Sequence, residues 1–252
     1  SKYKVYIVDE VHMLTKEAFN ALLKTLEEPP PHVIFVLATT ELHKLPETIV
    51  SRCQSFTFRK PGVEELRTVI ASAAKSEGRK LEAGALDLIA LLGDGSYRDA
   101  LGVLQKAFGA TGEKVVTTAL VASVTGAPPS ELVTEFIDGL VKGEAEPGLT
   151  AIKKLVDLHR EPRVFLKLVM NTIRQAMFLK FAPTVGKELI APLGAEEKQF
   201  FETLATRPES ASLSLILREL LTAYDELGRS YLPELPLELA VLRITSLLPK
   251  KI

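Results

Sequence analysis

The sequence predicts a short α/β region with parallel strands at its start and helices throughout the remainder, so the chain is mainly α overall. Residues 5–8 and 33–38 form two continuous apolar runs that are too short for buried helices and lack period-two alternation. Such runs are typical of strands covered on both faces in the parallel sheet of an α/β domain. From about Lys60 onward, apolar residues recur at helical spacing.

Composition restricts the class of protein. The chain has 252 residues, 46% of them hydrophobic and 25% charged, which suits a soluble globular protein with two or three small domains. The net charge of −1 gives no overall attraction to nucleic acid, so any basic surface must be local. Cys53 is the single cysteine, which excludes a disulfide framework and favours a cytoplasmic location. No apolar run has transmembrane length, and no signal peptide is visible.

The first strand ends in two adjacent carboxylates, Asp9 and Glu10. The carboxyl ends of parallel strands form the edge at which open α/β sheets bind ligands. An apolar strand that delivers an Asp there is the physical form of a Walker B element, whose carboxylate holds magnesium beside nucleotide phosphates. The following Glu is placed to polarise an attacking water. A solvated turn or a helix cap is the alternative.

The sequence contains no phosphate-binding loop of the form G-x-x-x-x-G-K-S/T, and no strand and helix precede residues 5–8. We therefore expect a fragment that begins partway through an α/β domain. By itself it should bind ATP weakly or not at all and be inactive.

A helix is predicted from the N-cap Thr15 to about residue 28, where three consecutive prolines end it. The apolar residues at helical spacing form its core face, namely Phe19, Leu22, Leu23 and Leu26. The opposite stripe is polar and consists of Lys16, Asn20 and Lys24. This helix joins the two apolar strands into a parallel crossover. Thr40 then emerges beside Asp9, where its hydroxyl can bond a γ-phosphate oxygen or the attacking water, or alternatively cap a helix.

Arg52 follows a short helix and precedes a predicted strand at 56–58. A rigid junction there can aim its guanidinium outward, or the side chain can pair with a local carboxylate. Beyond Pro61, helices are predicted near 63–76, 83–92, 96–108 and 115–124, with a core stripe of Leu66, Val69, Ile70 and Ala73.

Residues 126–129 form a second boundary because they combine Gly and Pro. Further helices are predicted near 130–142, 148–159, 161–181, 195–206, 212–227 and 236–248. The spacing of Leu213, Ile216, Leu217, Leu220 and Leu221 is typical of a bundle core or a subunit interface.

Several runs, taken together and in order, carry a family resemblance: V-Y-I-V-D-E-V-H-M-L, N-A-L-L-K-T-L-E-E-P-P, L-A-T-T-E, S-R-C and G-S-Y-R-D-A-L. They resemble the gamma/tau subunit of bacterial DNA polymerase III, the AAA+ ATPase of the clamp loader. The resemblance implies the C-terminal part of a AAA+ P-loop ATPase domain at 1–60, a helical lid at 61–126 and a helical collar at 127–252. It also implies that ATP binding opens the sliding clamp and that hydrolysis releases it closed around primer-template DNA, within a DNA-directed DNA polymerase (nucleotidyltransferase) holoenzyme.

The resemblance assigns roles residue by residue. Asp9 would bind magnesium and Glu10 would activate water, while Thr40 would be the first sensor of the γ-phosphate. Arg52 would be an arginine finger that reaches the ATP of a neighbouring subunit, and its charge would stabilise the transferred phosphoryl group. Arg98, behind a Gly-Asp-Gly hinge, would be the second sensor.

ATP and magnesium are thus the implied cofactors. The implied partners are delta, delta-prime and further gamma/tau copies through the collar, the sliding clamp, and DNA bound without sequence preference. Lys16, Lys24 and Lys44 are candidates for phosphate contacts, although solvated lysines fit equally. No membrane partner is implied, and the family's cysteine-rich zinc module is absent from this sequence. The four scattered histidines lack the pairing of a metal site.

Two alternatives remain. A non-hydrolysing subunit resembling delta-prime would share the S-R-C and L-L-K-T-L-E-E-P-P motifs and supply only a finger and collar contacts. Asp9, Glu10 and Thr40 argue against it, because an inactive site has no reason to keep these groups together. The other alternative is a polypeptide that only folds and oligomerises.

Overall fold

The computed structural model describes residues 2–191, 195–207 and 212–248. It forms two compact units, Ser1–Arg59 and Lys60–Ile252. The first unit is α/β and the second is almost entirely helical. The predicted fold class, a small parallel sheet followed by helices, is confirmed.

The first unit contains two strands joined by one helix: β1 at Lys4–Val8, α1 at Lys16–Glu27 and β2 at Val33–Leu37. Short 3-10 helices at Val11–Met13 and Leu42–Lys44 and a single turn, α2 at Glu47–Val50, complete it. The strands pair in parallel, with Val8 opposite Leu37. The predicted crossover is therefore present, and both strands end at the same edge.

One face of this small sheet carries the unit's core. Val8 and Leu37 pack there against Val11, Phe19 and Ile49, which are buried. The opposite face presents Val5, Ile7, Ile34 and Val36, all exposed, with Ile7 at 72%. The prediction that both strands are covered on both faces is wrong for the described residues. Register partners of a parallel pair share a face, and the unit's helical residues pack only on the face of Val8 and Leu37.

Helix α1 begins as predicted. The Thr15 hydroxyl accepts a hydrogen bond from the Ala18 amide at 3.3 Å, which satisfies one of the free donors of the first turn. The pKa of Glu17 is lowered because its carboxylate accepts hydrogen bonds from its own backbone amide and from Thr15. Phe19 is 5% exposed, whereas Lys16, Asn20 and Lys24 are exposed on the other side, as the helical period predicts.

Residues 54–62 contain no regular secondary structure, so the strand predicted at 56–58 is wrong. Phe56 and Phe58 are 72% and 94% exposed. Alternating apolar residues form a strand only when a partner strand pairs with them. Within the described residues, the sheets consist of β1 paired with β2 and of two very short strands in the second unit, so residues 56–58 have no partner strand.

The second unit begins with α3 at Val63–Ser76, α4 at Ala83–Leu92, α5 at Tyr97–Gly109 and α6 at Thr118–Thr125. Two-residue strands, β3 at Lys80–Leu81 and β4 at Val115–Val116, pair in parallel between them. Leu66, Ile70, Ile89, Leu104 and Val121 are central to one buried cluster. The predicted helices are confirmed here, although α6 begins three residues later than predicted because β4 precedes it.

The remaining helices are α7 at Ser130–Lys142, α8 at Ala145–Asp157, α9 at Pro162–Phe181, α10 at Pro183–Ile190, α11 at Ala195–Thr206, α12 at Leu213–Glu226 and α13 at Leu235–Leu247. They surround a second cluster in which Phe136 and Phe165 meet edge to face at 4.9 Å. Leu213, Ile216 and Leu220 are fully buried, whereas Leu221 is 51% exposed. None of the helices in the described ranges combines the length and apolar character needed to cross a bilayer. The division into three domains, at 1–60, 61–126 and 127–252, stays a prediction.

Helix α10 was not predicted, and Gly186 explains how it packs. A Cβ atom at Gly186 would lie 2.3 Å from the Cα of Leu179 in α9, so only glycine permits this approach of the two helices.

We expect Gly186→Ala to destabilise the second unit by roughly 3 kcal/mol, because backbone atoms of α9 cannot yield to the added methyl group. Gly102→Ala is the matched control, since nothing lies within 4 Å of a Cβ at Gly102 on α5, and it should stabilise by about 0.5–1 kcal/mol. Denaturant unfolding followed by circular dichroism measures both. Equal stability of the two variants would contradict the proposed close approach.

Candidate functional site

The carboxyl ends of β1 and β2 bring the predicted groups together. The Ala38 amide donates to the Val8 carbonyl at 2.9 Å, and the Val11 amide donates to the Ala38 carbonyl at 2.9 Å. These bonds continue the pairing past the strand ends. The segments that carry Asp9 and Thr40 therefore leave the sheet side by side.

Asp9 and Glu10 form a tight turn at this edge. The Glu10 amide donates to Asp9 Oδ1 at 3.0 Å, and both side chains are exposed. Glu10 has φ 45 and ψ 47, a left-handed conformation that is uncommon for a residue with a Cβ. Strained backbone of this kind occurs often at functional sites, where the surrounding contacts hold it.

The Glu10 carboxylate is held through one of its oxygens. The Thr40 hydroxyl donates to Glu10 Oε2 at 3.1 Å, and His12 Nδ1 lies 3.3 Å from the same oxygen. No protein partner of Oε1 is found in the part of the chain that the structure describes, and the side chain is 47% exposed. Oε2 is thus anchored while Oε1 has no partner among the described residues, which suits a group that accepts a proton.

His12 is the residue at this edge that sequence reasoning missed. Its side chain is only 9% exposed, and its Nδ1 lies 2.9 Å from Thr39 Oγ1 in a hydrogen bond. Its Nε2 lies 3.2 Å from Glu41 Oε2. The signal that could have found His12 is its position two residues after Glu10, just beyond the strand.

Glu41 completes the cluster on the β2 side. Lys44 Nζ donates to Glu41 Oε2 at 2.7 Å, and this hydrogen bond is the main reason that the pKa of Glu41 is lowered. The Glu41 amide donates to Thr39 Oγ1 at 3.0 Å. Lys44, a candidate for DNA contact, is therefore engaged with a carboxylate, whereas Lys16 and Lys24 are exposed on α1.

Arg52 has local partners in the first unit. Arg52 Nη2 lies 2.8 Å from Glu27 Oε1, and Arg52 Nη1 donates to the Thr48 carbonyl at 2.8 Å. The structure thus shows the alternative in which the arginine pairs with a nearby carboxylate. The Arg52 side chain is still 37% exposed, and its role toward a neighbouring subunit stays a prediction.

Arg98 lies in the second unit, in the first turn of α5, where it is exposed. The Ser96 hydroxyl caps the helix by accepting from the Asp99 amide at 3.2 Å. The preceding loop contains two left-handed residues, Asp94 at φ 51 and Gly95 at φ 73. Lys167 of α9 donates to Asp94 Oδ2 at 3.0 Å, so the loop before Arg98 is tied to the helical bundle.

Comparison with protein families identifies the chain's relatives. Residues 1–62 match the family described as "DNA polymerase III, delta subunit". Residues 116–252, more than half of the chain, match "DNA polymerase III subunits gamma and tau domain III". The chain belongs to the DNA polymerase III gamma and tau family.

Individual gamma and tau subunits are similar over nearly the whole chain. The DNA polymerase III subunit tau of Bacillus subtilis is 35% identical over 244 residues, covering 96% of this chain and 42% of that protein. The DNA polymerase III subunit gamma of Buchnera aphidicola subsp. Acyrthosiphon pisum is 30% identical over 246 residues, covering 98% of this chain and 67% of that protein. The chain spans about two fifths of the tau subunits that it matches. Among solved structures, the Bacillus subtilis DNA clamp loader delta protein aligns with 19% identity and a TM-score of 0.41, covering 97% of this chain and 78% of that one.

The donor set of this gamma/tau chain suits magnesium in part. Mg²⁺ prefers oxygen ligands and usually takes one or two carboxylates, with substrate phosphates and water as the others. The exposed carboxylate of Asp9 fits that pattern, and the described residues hold no cluster of three or more metal-binding side chains. The sequence of these 252 residues supplies no loop to cradle the phosphates.

We expect Lys44→Ala to raise the pKa of Glu41 toward its ordinary value, because the hydrogen bond that favours the charged carboxylate is lost. A carboxyl-carbon NMR titration measures the change. The pKa of Glu41 is lower in the folded state than in the unfolded state. The contact with Lys44 therefore stabilises the fold at pH values above the unfolded-state pKa, and this stabilisation is lost as the pH falls through the folded-state pKa. Lys24→Ala should leave the titration of Glu41 unchanged. An unaltered Glu41 in Lys44→Ala would show that Lys44 is not the cause.

Proposed function

We propose that this chain is part of an ATPase subunit of the DNA polymerase III clamp loader, which couples ATP binding and hydrolysis to loading of the sliding clamp on primer-template DNA. Membership of the gamma and tau family supports the proposal. The observation that carries it is the contact of Thr40 with Glu10 at the carboxyl edge of two parallel strands. This contact unites an acid and a hydroxyl beside Asp9, the groups that nucleotide hydrolysis requires.

Each group at this edge has a distinct task. Asp9 would hold magnesium, which neutralises charge on the β- and γ-phosphates when bound. Glu10 accepts a proton from the attacking water through Oε1, while Thr40 holds Oε2. Thr40 would also be the first sensor of the γ-phosphate. Arg98 would serve as the second sensor of the γ-phosphate.

Arg52 would act on a neighbouring subunit. To reach a phosphate in trans, its guanidinium must exchange Glu27 for phosphate oxygens, and its partial exposure makes that exchange feasible. A finger supplied in trans makes hydrolysis depend on assembly. The pairing with Glu27 then serves to hold the side chain ready and to satisfy its charge before assembly.

The helical unit would assemble the ring with delta, delta-prime and further gamma/tau subunits. Neighbouring helices α12 and α13 leave large apolar side chains exposed, namely Leu221, Leu239, Leu242 and Leu247. Exposed apolar surface on packed helices is typical of protein interfaces. Lys16 and Lys24 are candidates to contact the DNA backbone without sequence preference. Lys44 would first have to leave Glu41.

A second candidate function is that of a non-hydrolysing subunit resembling delta-prime. The match of residues 1–62 to the delta-subunit family favours it, and Arg52 would still serve as a finger. In such a subunit, Glu10 would carry no chemistry.

Glu10→Gln decides between the two. In the full-length protein that carries this sequence, assembled with its partner subunits, we expect ATP turnover to fall by about 10²–10⁴-fold, because the amide cannot accept the proton. ATP affinity should be kept. Glu28→Gln, an equal loss of charge at the exposed end of α1, is the control and should leave turnover unchanged. Normal turnover in Glu10→Gln would favour the non-hydrolysing role.

Arg52→Ala tests the finger. In the same complex, we expect turnover at the neighbouring site to fall by about 10³-fold or more, with nucleotide affinity nearly intact, because the lost charge acts on the transition state. Glu27→Gln is the companion variant: it frees Arg52 without removing it and should not lower turnover. Loss of nucleotide binding with normal turnover per occupied site would contradict the role in trans.

A further inference from the structure

His12 connects the two segments that leave the sheet edge. It follows β1 in the 3-10 helix Val11–Met13, and its ring reaches Thr39 and Glu41 beyond β2. The ring is almost fully enclosed, at 9% exposure. A buried polar ring in contact with groups from both segments constrains how those segments lie relative to each other.

The two nitrogens of this ring face different partners. Nε2 lies 3.2 Å from the Glu41 carboxylate, which can only accept a hydrogen bond, so Nε2 is suited to be a donor. Nδ1 lies 2.9 Å from the Thr39 hydroxyl and 3.3 Å from Glu10 Oε2, a second carboxylate oxygen that can only accept. The ring therefore donates toward both acids only in the form that carries a proton on each nitrogen. Thr39 is itself fixed, because its oxygen accepts from the Glu41 amide at 3.0 Å.

Glu10 depends on this arrangement because Thr40 and His12 approach the same oxygen, Oε2. With the Thr40 hydroxyl and a His12 ring N–H both directed at this one oxygen, rotation of the Glu10 carboxylate is restricted. Thr40 alone would leave the side chain free to turn about a single contact. A base that activates water must be held close to its productive geometry, since a displacement of 1 Å can cost about 10²-fold in rate.

We propose that His12 is a positioning residue that fixes Glu10 for proton acceptance by bridging it to Thr39 and Glu41 on the segment after β2. The proposal rests on the function proposed above. His12 acts through Glu10 and does not touch the reacting atoms. The orientation of Glu10 is thereby tied to the segment that also carries Thr40 and, through Glu41, Lys44.

A merely structural histidine would also be buried and hydrogen-bonded, so the test must separate the two roles. Substitution of His12 by Asn or by Gln separates the two roles, because each amide side chain reaches the position of a different ring nitrogen. His12→Asn places an amide group near the position of Nδ1, toward Thr39 and Glu10, but it is too short to reach Glu41. His12→Gln extends toward the position of Nε2 and Glu41 but leaves the Nδ1 position without a polar atom.

The experiment measures ATP turnover and ATP affinity of the assembled clamp loader built with the full-length protein. We expect His12→Ala to lower kcat by about 10²-fold with affinity changed by less than about twofold. His12→Asn should recover most of the lost kcat and His12→Gln should not. The positioning role is wrong if His12→Gln restores kcat and His12→Asn does not. It is also wrong if the decrease in kcat only matches the fraction of folded protein lost, as measured by circular dichroism.

The double variant Glu10→Gln with His12→Ala distinguishes failure of this proposal from failure of the proposed function. If His12 acts through Glu10, its loss should add no further decrease in kcat once the carboxylate is gone. An independent, multiplicative decrease would overturn the positioning role while leaving the ATPase function intact. If Glu10→Gln alone leaves turnover unchanged, both proposals fall.

Discussion

The parallel register of β1 and β2 is the constraint on which the candidate site depends. Val8 lies opposite Leu37, and two further backbone hydrogen bonds at 2.9 Å carry the pairing past the strand ends to Ala38 and Val11. Because parallel strands point the same way, their carboxyl ends meet at one edge, and the polar residues that follow must lie near one another. A shift of the register by one residue would move Thr39 and Thr40 away from Glu10 and His12, and would also turn Val8 or Leu37 out of the core.

The polar groups at this edge form a connected set. Contacts run from Thr40 to Glu10, from Glu10 to His12, from His12 to Thr39 and Glu41, and from Glu41 to Lys44. Within it, the hydrogen bond from Lys44 favours the charged form of the Glu41 carboxylate and lowers the pKa of Glu41. Such a set holds several side chains in one geometry, and it places the Glu10 carboxylate and the Thr40 hydroxyl together at the sheet edge that Asp9 also occupies.

The helices of the second unit are held together by apolar clusters and by a few polar contacts. Its two apolar clusters bury the stripes of α3 to α13, and close contacts such as Gly186 against Leu179 fix neighbouring helices. The contact between Lys167 and Asp94 joins the loop before α5 to the long helix α9. Arg163 of α9 reinforces the bundle by stacking on Tyr224 of α12 and donating to its hydroxyl, which raises the pKa of Arg163. Arg98 therefore projects from a loop and helix that are anchored to the part of the chain proposed to assemble the ring.

The sequence by itself determined most helices, the two strands and the shared edge of Asp9, Glu10 and Thr40, because helical period, caps, prolines and short apolar runs are properties of neighbouring residues. It did not reveal that Val5, Ile7, Ile34 and Val36 stay exposed, that residues 56–58 lack a partner strand, or that α10 packs through Gly186. Only the tertiary structure decided that Arg52 meets Glu27 and that His12 bridges Glu10 to Glu41. The burial of a side chain and its polar partners depend on which distant segments of the chain come together. A local sequence pattern does not specify those segments, so it cannot identify the group that contacts a given residue.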